Sequence, residues 1–177
     1  MARWLLAIAL AGCGGATTTT TETTLDPEPP STLQPCALES APLRIPVAEG
    51  WALASSPEGC LLVDETHEGS ALSIAALPQE TEAAASLEED VRGFFRDSGV
   101  LGGEVRFVGR ETVDLLGQPT EAHEFLAELE GLGTRSGLVS ARPVGPTWLV
   151  VVLFHAPGDG DTRASMVRAL EAVTAGE

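Results

Sequence analysis

Residues 148–154 form an unbroken apolar run, and this run limits the fold more than any other feature of the chain. Side chains of a β-strand point alternately to the two faces of a sheet, so a strand that is apolar at every position has both faces covered. We therefore predict a central strand here, in a sheet that is packed on both sides.

Shorter apolar or alternating segments before this run predict further strands, separated by turn-prone residues such as Glu49-Gly50. Strands that follow one another across short turns favour antiparallel pairing, so we expect an antiparallel sheet. The predicted strands are 43–47, 51–54, 60–63, 71–77, 105–108, 111–116, 123–129 and 135–142.

Two amphipathic helices are predicted to pack against the sheet. Ser86 and Glu89 form a capping box at the start of the first helix, and Gly99 is placed to end it. The apolar face of this helix holds Leu87, Val91, Phe94 and Phe95. The inward face of the second helix holds Met166, Ala169, Leu170 and Val173. Asp161 is the predicted N-terminal cap of this second helix. Consecutive strands with two separate helices packed against them give an α+β fold class.

Four segments of the sequence resemble the PsbP/DcrB superfamily, which includes LpqN-type lipoproteins. They are residues 45–51 (Ile-Pro-Val-Ala-Glu-Gly-Trp), residues 117–122 (Gly-Gln-Pro-Thr-Glu-Ala), the apolar strand that Trp148 opens, and the closing amphipathic helix. The likeness extends over most of residues 43–173. It implies an antiparallel sheet flanked by amphipathic helices, an α/β/α sandwich, and a protein that binds other proteins or assists assemblies. It supplies no catalytic residues.

The N-terminus has the pattern of a bacterial lipoprotein signal. A positive segment ending at Arg3 precedes the apolar residues 4–11, which are too few for a transmembrane helix of about 20 residues. Leu10-Ala11-Gly12-Cys13 resembles the lipobox, in which the cysteine is acylated before cleavage. We predict a signal peptide at 1–12 and a lipid, detectable with palmitate, on Cys13. The alternative is a free cysteine buried behind an apolar helix.

Acylation of Cys13 would anchor the protein in the cell envelope, because two or more acyl chains bind a membrane stably. Gly14 follows the cysteine, and by resemblance to Gram-negative sorting rules it favours the outer membrane, with the domain in the periplasm. Residues 13–35 are rich in Thr and Pro and cannot form a core, so we expect a tether. A single globular domain is then expected at 36–177.

The balance of charge excludes several classes of function. The chain has 10 Lys+Arg and 26 Asp+Glu, a net charge of −16, and loss of Arg3 with the signal leaves −17. Such a field repels phosphate backbones, so we expect no nucleic-acid binding and a protein partner whose surface is neutral or basic. The sequence has no lysine, which excludes Schiff-base chemistry.

Cys36 and Cys60 are an even pair once Cys13 is acylated, and disulfides persist outside the cytoplasm. A bond between them would close a loop of about 25 residues and stabilise the domain by about 3 to 4 kcal/mol. We predict this disulfide, with a role in fixing the start of the domain. A redox site and a metal site are the alternatives, although no Cys-x-x-Cys spacing is present.

A search for catalytic motifs gives little. The sequence has no Gly-x-Ser-x-Gly elbow and no Gly-rich phosphate loop, so we expect no enzyme activity and no cofactor. The three histidines are far apart, since His67 lies in a predicted turn, His123 opens a strand and His155 ends one. Asp159-Gly160-Asp161 resembles the start of a calcium loop, but Leu170 stands where the closing Glu is required. A turn and a helix cap are therefore expected there, and a spatial His/Asp/Ser cluster stays an open alternative.

The predicted strand 123–129 has one apolar and one acidic face. His123, Phe125, Ala127 and Leu129 share the apolar face, and Glu124 and Glu128 share the acidic face. Together with Glu121 and Glu130 they form a candidate binding face for a basic partner or a divalent ion. The alternative is an ordinary solvated sheet surface.

These features together predict a membrane-tethered, extracytoplasmic lipoprotein that binds protein or supports assembly without catalysis. Two alternatives remain. A carrier of a small lipid or sugar ligand needs a deep apolar pocket, and a hydrolase needs a convergent polar triad in a cleft.

Overall fold

The computed structural model describes residues 32–38, 42–57, 59–78, 87–98 and 101–176. The predicted signal peptide, Cys13 and the tether up to residue 31 lie outside these ranges. The strands are β1 (Thr32–Cys36), β2 (Leu43–Val47), β3 (Trp51–Ser56), β4 (Gly59–Asp64), β5 (Ala71–Pro78), β6 (Leu101–Asp114), β7 (Pro119–Leu129), β8 (Gly133–Val144), β9 (Thr147–His155) and β10 (Thr174–Ala175). The helices are α1 (Leu87–Ser98) and α2 (Gly160–Glu171).

Seven of these strands form one antiparallel sheet, which we call the main sheet, in the order β3-β4-β5-β9-β8-β7-β6. The apolar run 148–154 lies in β9, which is the fourth and central strand, as predicted. A second, three-stranded sheet has the order β1-β2-β10. The predicted antiparallel pairing is confirmed.

The alternation of side chains along the strands divides the apolar residues of the main sheet between two cores. On β8, Leu138 is buried in the first core and its neighbour Val139 in the second. On β9, Leu153 and Phe154 divide in the same way. Both sides of the central strand are thus buried, which explains why its sequence is apolar throughout.

The second core is built around phenylalanine rings. Phe95 of α1 makes edge-to-face contacts with Phe125 and Phe154, at ring-centroid distances of 5.6 and 6.2 Å. Gly137 on β8 leaves room for the Phe125 ring, because a Cβ at that position would overlap it. The helix α1 therefore packs by its predicted apolar face. Outside the described residues lie Ser86, Gly99 and the side chains of Glu89 and Phe94.

The first core is covered by α2 together with the three-stranded sheet. Met166 and Leu170 of α2 and Ile45 of β2 are buried in this core. Asp159 caps the helix, because its carboxylate accepts a hydrogen bond from the backbone N–H of Thr162 at 3.0 Å. The prediction of Asp161 as the cap was wrong, since Asp161 lies inside the first turn.

Three further details differ from the sequence-based expectation. The predicted strand 105–108 and residues 111–114 of the predicted strand 111–116 belong to the single long strand β6, whose pairing shifts between Phe107 and Gly109. The strand β1 begins at Thr32, before the expected domain boundary at Cys36, because it pairs with β2. The α/β/α sandwich stays a prediction, because the three-stranded sheet shares one face of the main sheet with α2.

Candidate functional site

The predicted disulfide between Cys36 and Cys60 is present, with the two Cα atoms 6.0 Å apart. Both cysteines are buried in the first core. Because β1 belongs to the three-stranded sheet and β4 to the main sheet, the bond joins the two sheets covalently. The other four residues of β1 are exposed. The disulfide therefore fixes β1, the first strand of the described chain, to the main sheet.

The four glutamates of the candidate binding face do not lie together. Glu124 and Glu128 share one face of β7, opposite the buried Phe125, Ala127 and Leu129, as their alternation predicts. Glu121 lies on the other face, toward α1. Glu130 is exposed in the turn that follows β7.

Glu121 belongs to an ion-pair group centred on His123. The two ring nitrogens of His123 face different carboxylates, with Nε2 at 3.0 Å from Glu121 and Nδ1 at 3.3 Å from Glu88 of α1. Glu121 also lies 3.4 Å from Arg110 of β6. The His123 side chain is only 12% exposed. This group ties the start of α1 to the sheet.

Glu124 is held by α2. Arg163 of that helix lies 3.3 Å from Glu124 and also contacts the carboxylate of Glu111 on β6. Gly109 of β6 leaves space for the Glu124 side chain, because a Cβ there would lie 2.5 Å from its Oε2 atom. Glu124 therefore has a partner within its own chain.

Glu128 lies further along the same face of β7, across Gly103 of β6, where a Cβ would overlap its carboxylate. Beside it opens a cleft of about 330 Å³, which we call the β6 cleft. Its lining includes Gly103, Glu104, Arg106, Leu126, Glu128 and Thr134. In the described part of the chain, Glu104, Arg106 and Glu128 have no ion-pair partner. The mixed polarity of this cleft differs from the deep apolar pocket that a lipid carrier requires.

Asp64, at the end of β4, organises the turn that follows. Its buried carboxylate accepts hydrogen bonds from the backbone and the hydroxyl of Thr66, at 2.8 and 2.6 Å, and from Nδ1 of His67 at 2.8 Å. Burial would raise the pKa of Asp64, but the bonds from Thr66 and His67 outweigh it and hold the pKa below its usual value. Arg135 of β8 donates to the backbone carbonyls of Gly69 and Glu68 and holds the same turn.

Three buried polar residues, Asp64, Ser70 and His155, occupy neighbouring positions across β4, the start of β5 and the end of β9. They are the residue types of a hydrolytic triad, but their bonding is different. Nδ1 of His155 is 2.8 Å from the backbone oxygen of Ala156, and the carboxylate of Asp64 is occupied by its own turn. Ser70 is fully buried and its hydroxyl has no hydrogen-bond partner. The arrangement lacks the exposed, activated serine that acyl transfer needs.

The calcium-like segment at Asp159 acts as a helix cap. The hydrogen bond from the backbone N–H of Thr162 holds the pKa of Asp159 below its usual value. Among the residues described, no three His, Cys, Asp or Glu side chains are grouped to hold a metal ion. Within the same ranges, no helix is long and apolar enough to cross a bilayer.

Sequence reasoning missed Asp64, Arg106 and Arg163. Asp64 gives a local signal, because Asp followed two positions later by Thr is typical of a side-chain-bonded turn. The two arginines give no such signal. Their positions depend on how β6, β7 and α2 come together, which the local sequence does not specify.

No family model matches the chain, and no curated protein matches its sequence. Solved structures do match. Cyanobacterial PsbP (CyanoP) from Synechocystis sp. PCC 6803 superposes with a TM-score of 0.56 at 17% identity, over 94% of this chain and 99% of that one. The Ran-binding protein Mog1p of Saccharomyces cerevisiae gives 0.52 at 9% identity, over 79% and 93%.

LpqN of Mycobacterium tuberculosis, which is involved in cell envelope biogenesis, matches with a TM-score of 0.49 at 15% identity, over 83% of this chain and 92% of that one. At such identities the likeness to CyanoP and Mog1p establishes the fold and nothing more. The domain has a PsbP-like fold, as the sequence resemblance implies.

Proposed function

We propose that this chain is a cell-envelope lipoprotein, acylated at Cys13, whose PsbP-like domain binds another protein without catalysis. In this proposal residues 1–12 are removed, residues 13–31 form the tether, and the domain begins with β1 at Thr32. The disulfide supports an extracytoplasmic location, because such bonds persist in oxidising compartments. In a Gram-negative host the outer membrane is the expected site of anchoring.

One observation supports protein binding most strongly. Of the four candidate glutamates, Glu121 and Glu124 have ion-pair partners within the chain, whereas the charged groups of the β6 cleft have none among the described residues. Charges that are exposed and unpaired can steer a complementary partner and fix its orientation, and here they lie beside the half-buried Leu126. The fold is compatible with this role, since Mog1p is a Ran-binding protein.

The anchor and the charge define what kind of partner is expected. A tether confines the domain near the membrane and raises its effective concentration toward other envelope proteins, so a weak contact suffices. With a net charge of −16 before cleavage, the chain attracts a neutral or basic surface more readily than an acidic one. Association should slow as salt screens this attraction over a Debye length of about 8 Å.

Palmitate labelling tests the anchor. The wild-type chain should incorporate labelled palmitate, and Cys13→Ser should abolish the label and release the protein from membranes. Cys36→Ser is the matched control, because it removes a cysteine that the proposal leaves unacylated. Label that persists in Cys13→Ser would refute the lipid assignment.

Envelope crosslinking tests the binding role. A reproducible partner with a basic surface, whose crosslink weakens as salt is raised, would support the proposal. A purified domain that turns over substrates in a hydrolase screen and crosslinks to no protein would overturn it.

A further inference from the structure

We infer that the β6 cleft, together with the open edge of β6, is a docking surface for an extended, positively charged segment of a partner protein. This inference rests on the proposed protein-binding function and says where the partner binds and by what chemistry. Four features of the described residues support it: the edge strand, an exposed apolar side chain, the unpaired charges and two glycines.

The strand β6 is the last strand of the main sheet. It pairs with β7 along one side, and within the described ranges no strand pairs with its other side. A free edge presents backbone N–H and C=O groups to an extended peptide, which can add to the sheet as a further strand. The partner's main chain can therefore pair with the open edge of β6, over Leu101–Asp114.

Val108 supplies an apolar contact at this edge. It falls between the paired positions Phe107↔Phe125 and Gly109↔Glu124 and has no Cα partner of its own, as at a β-bulge. Its side chain is 57% exposed, and the other exposed large apolar residue of the described chain is Leu33 on β1. An apolar residue of the partner can bury Val108, which is left exposed in the described chain.

The charges determine which segment fits. Glu104 and Arg106 are two positions apart on β6 and therefore point to the same side, toward Glu128 of β7 in the lining of the cleft. Two carboxylates and one guanidinium leave the cleft net negative. A partner lysine or arginine placed between the carboxylates would be attracted, and a partner carboxylate there would be repelled.

The glycines of β6 explain why these carboxylates reach the edge. A side chain at Gly103 would overlap the carboxylate of Glu128, and one at Gly109 would crowd that of Glu124. Both glutamates thus extend over the outermost strand. Because Arg163 holds Glu124, the carboxylate of Glu128 is the one left for a ligand.

A defined probe tests the chemistry of this surface. The probe is a synthetic ten-residue peptide of alternating lysine and valine, added to the full chain carrying Cys13→Ser, with binding followed by amide chemical shifts. We expect the shifts to concentrate in residues 102–109 and 126–134. Glu128→Gln should weaken binding about threefold, as expected for an exposed ion pair.

Glu171→Gln is the matched control, because it removes the same charge from an exposed position at the end of α2. It should leave peptide affinity within about 1.5-fold of the starting chain, as expected when only the long-range field changes. Equal thermal midpoints of the two variants show that both are folded. Equal weakening by both substitutions, or shifts spread over the whole surface, would overturn the docking site.

A photoreactive residue in place of Val108 separates failure of this site from failure of the proposed function. In the envelope, the full chain should crosslink from position 108 to a protein with a basic segment, and Glu128→Gln should weaken that crosslink. The same photoreactive residue in place of Leu33 should not give that crosslink. A partner that crosslinks from position 33 alone would leave protein binding standing and refute this site, whereas crosslinks from neither position would count against both.

Discussion

The two edges of the main sheet differ in how their polar groups are used. At the β3–β4 edge, a disulfide joins β4 to β1, and the buried carboxylate of Asp64 is filled by hydrogen bonds from its own turn. At the β6–β7 edge, Glu128 and Arg106 are exposed and have no ion-pair partner in the described chain. The first edge is built for stability, and the second leaves the charges of the β6 cleft available to another molecule.

The two glutamates of β7 show this difference within one strand. Glu124 and Glu128 point to the same face, yet only Glu124 meets Arg163 of α2. An ion pair inside the chain uses the charge for folding, whereas an unpaired exposed charge contributes little to stability and stays free to bind. Substitutions at the two edges should therefore separate loss of stability from loss of binding.

The largest expected effect is at the disulfide. Replacing both Cys36 and Cys60 by Ser should lower the free energy of unfolding by about 3 kcal/mol, because the crosslink spans 24 residues of chain and restricts the unfolded state. Urea unfolding under nonreducing conditions measures the change. Reduction of the wild type should cause a similar loss, and Cys13→Ser should cause none. A double variant as stable as the wild type would contradict the role given to this bond.

The fold was easier to predict from sequence than the site, for a physical reason. The central strand β9 was predictable because residues 148–154 must be buried on both sides wherever their neighbours lie. The disulfide followed from an even pair of cysteines. The charges of the β6 cleft were not predictable in the same way, since whether a glutamate is paired depends on where α2 places Arg163.

The alternation along β7 also shows the limit of what a sequence pattern can predict. It placed Glu124 and Glu128 together correctly, because period 2 is a local property of a strand. Glu121 was wrongly grouped with them, since it lies toward α1 beside His123. Asp161 was taken for the cap in place of Asp159 because both fit the sequence pattern, and only the hydrogen bond to Thr162 distinguishes them.

The next largest effect is expected at Asp64. Asp64→Asn should lower the free energy of unfolding at pH 7 by about 2 kcal/mol, because the buried carboxylate accepts bonds from Thr66 and His67 that a neutral amide replaces poorly. Urea unfolding at pH 7 checks the value. Glu65→Gln, an exposed change in the same turn, is the control and should have little effect.

The loss at Asp64 should depend on pH with a definite sign. The pKa of this carboxyl is lower in the folded protein than its usual value of 3.8, so its contribution is present above about pH 4 and disappears as the pH falls through the folded pKa. The stability gap between wild type and Asp64→Asn should shrink as the pH falls below about 4 toward the folded pKa. A gap of the same size at pH 2 would show that the carboxylate charge is not its source.

The cap of α2 should give a smaller effect. Asp159→Ala should cost about 1 kcal/mol of stability, because it removes the acceptor of the Thr162 backbone N–H at the helix start. Asp161→Ala is the matched control and should cost only a few tenths of a kcal/mol, through loss of a favourable charge near the helix N-terminus. Thermal unfolding of the two variants decides which aspartate is the cap. A larger loss in Asp161→Ala would reverse the assignment.

The smallest effects, and the sharpest comparison, concern the two glutamates of β7. Glu124→Gln should lower stability by about 0.5 kcal/mol, because it breaks a partly exposed ion pair with Arg163. Glu128→Gln should leave stability unchanged or raise it slightly, because it breaks no ion pair and removes one negative charge from a chain of net charge −16. Urea unfolding in parallel, at low and at high salt, measures both differences, and salt should shrink each of them.

If Glu128→Gln were the more destabilising of the two, its carboxylate would be part of the fold. The β6–β7 edge would then resemble the β3–β4 edge, with its charges used for stability and none left for a partner.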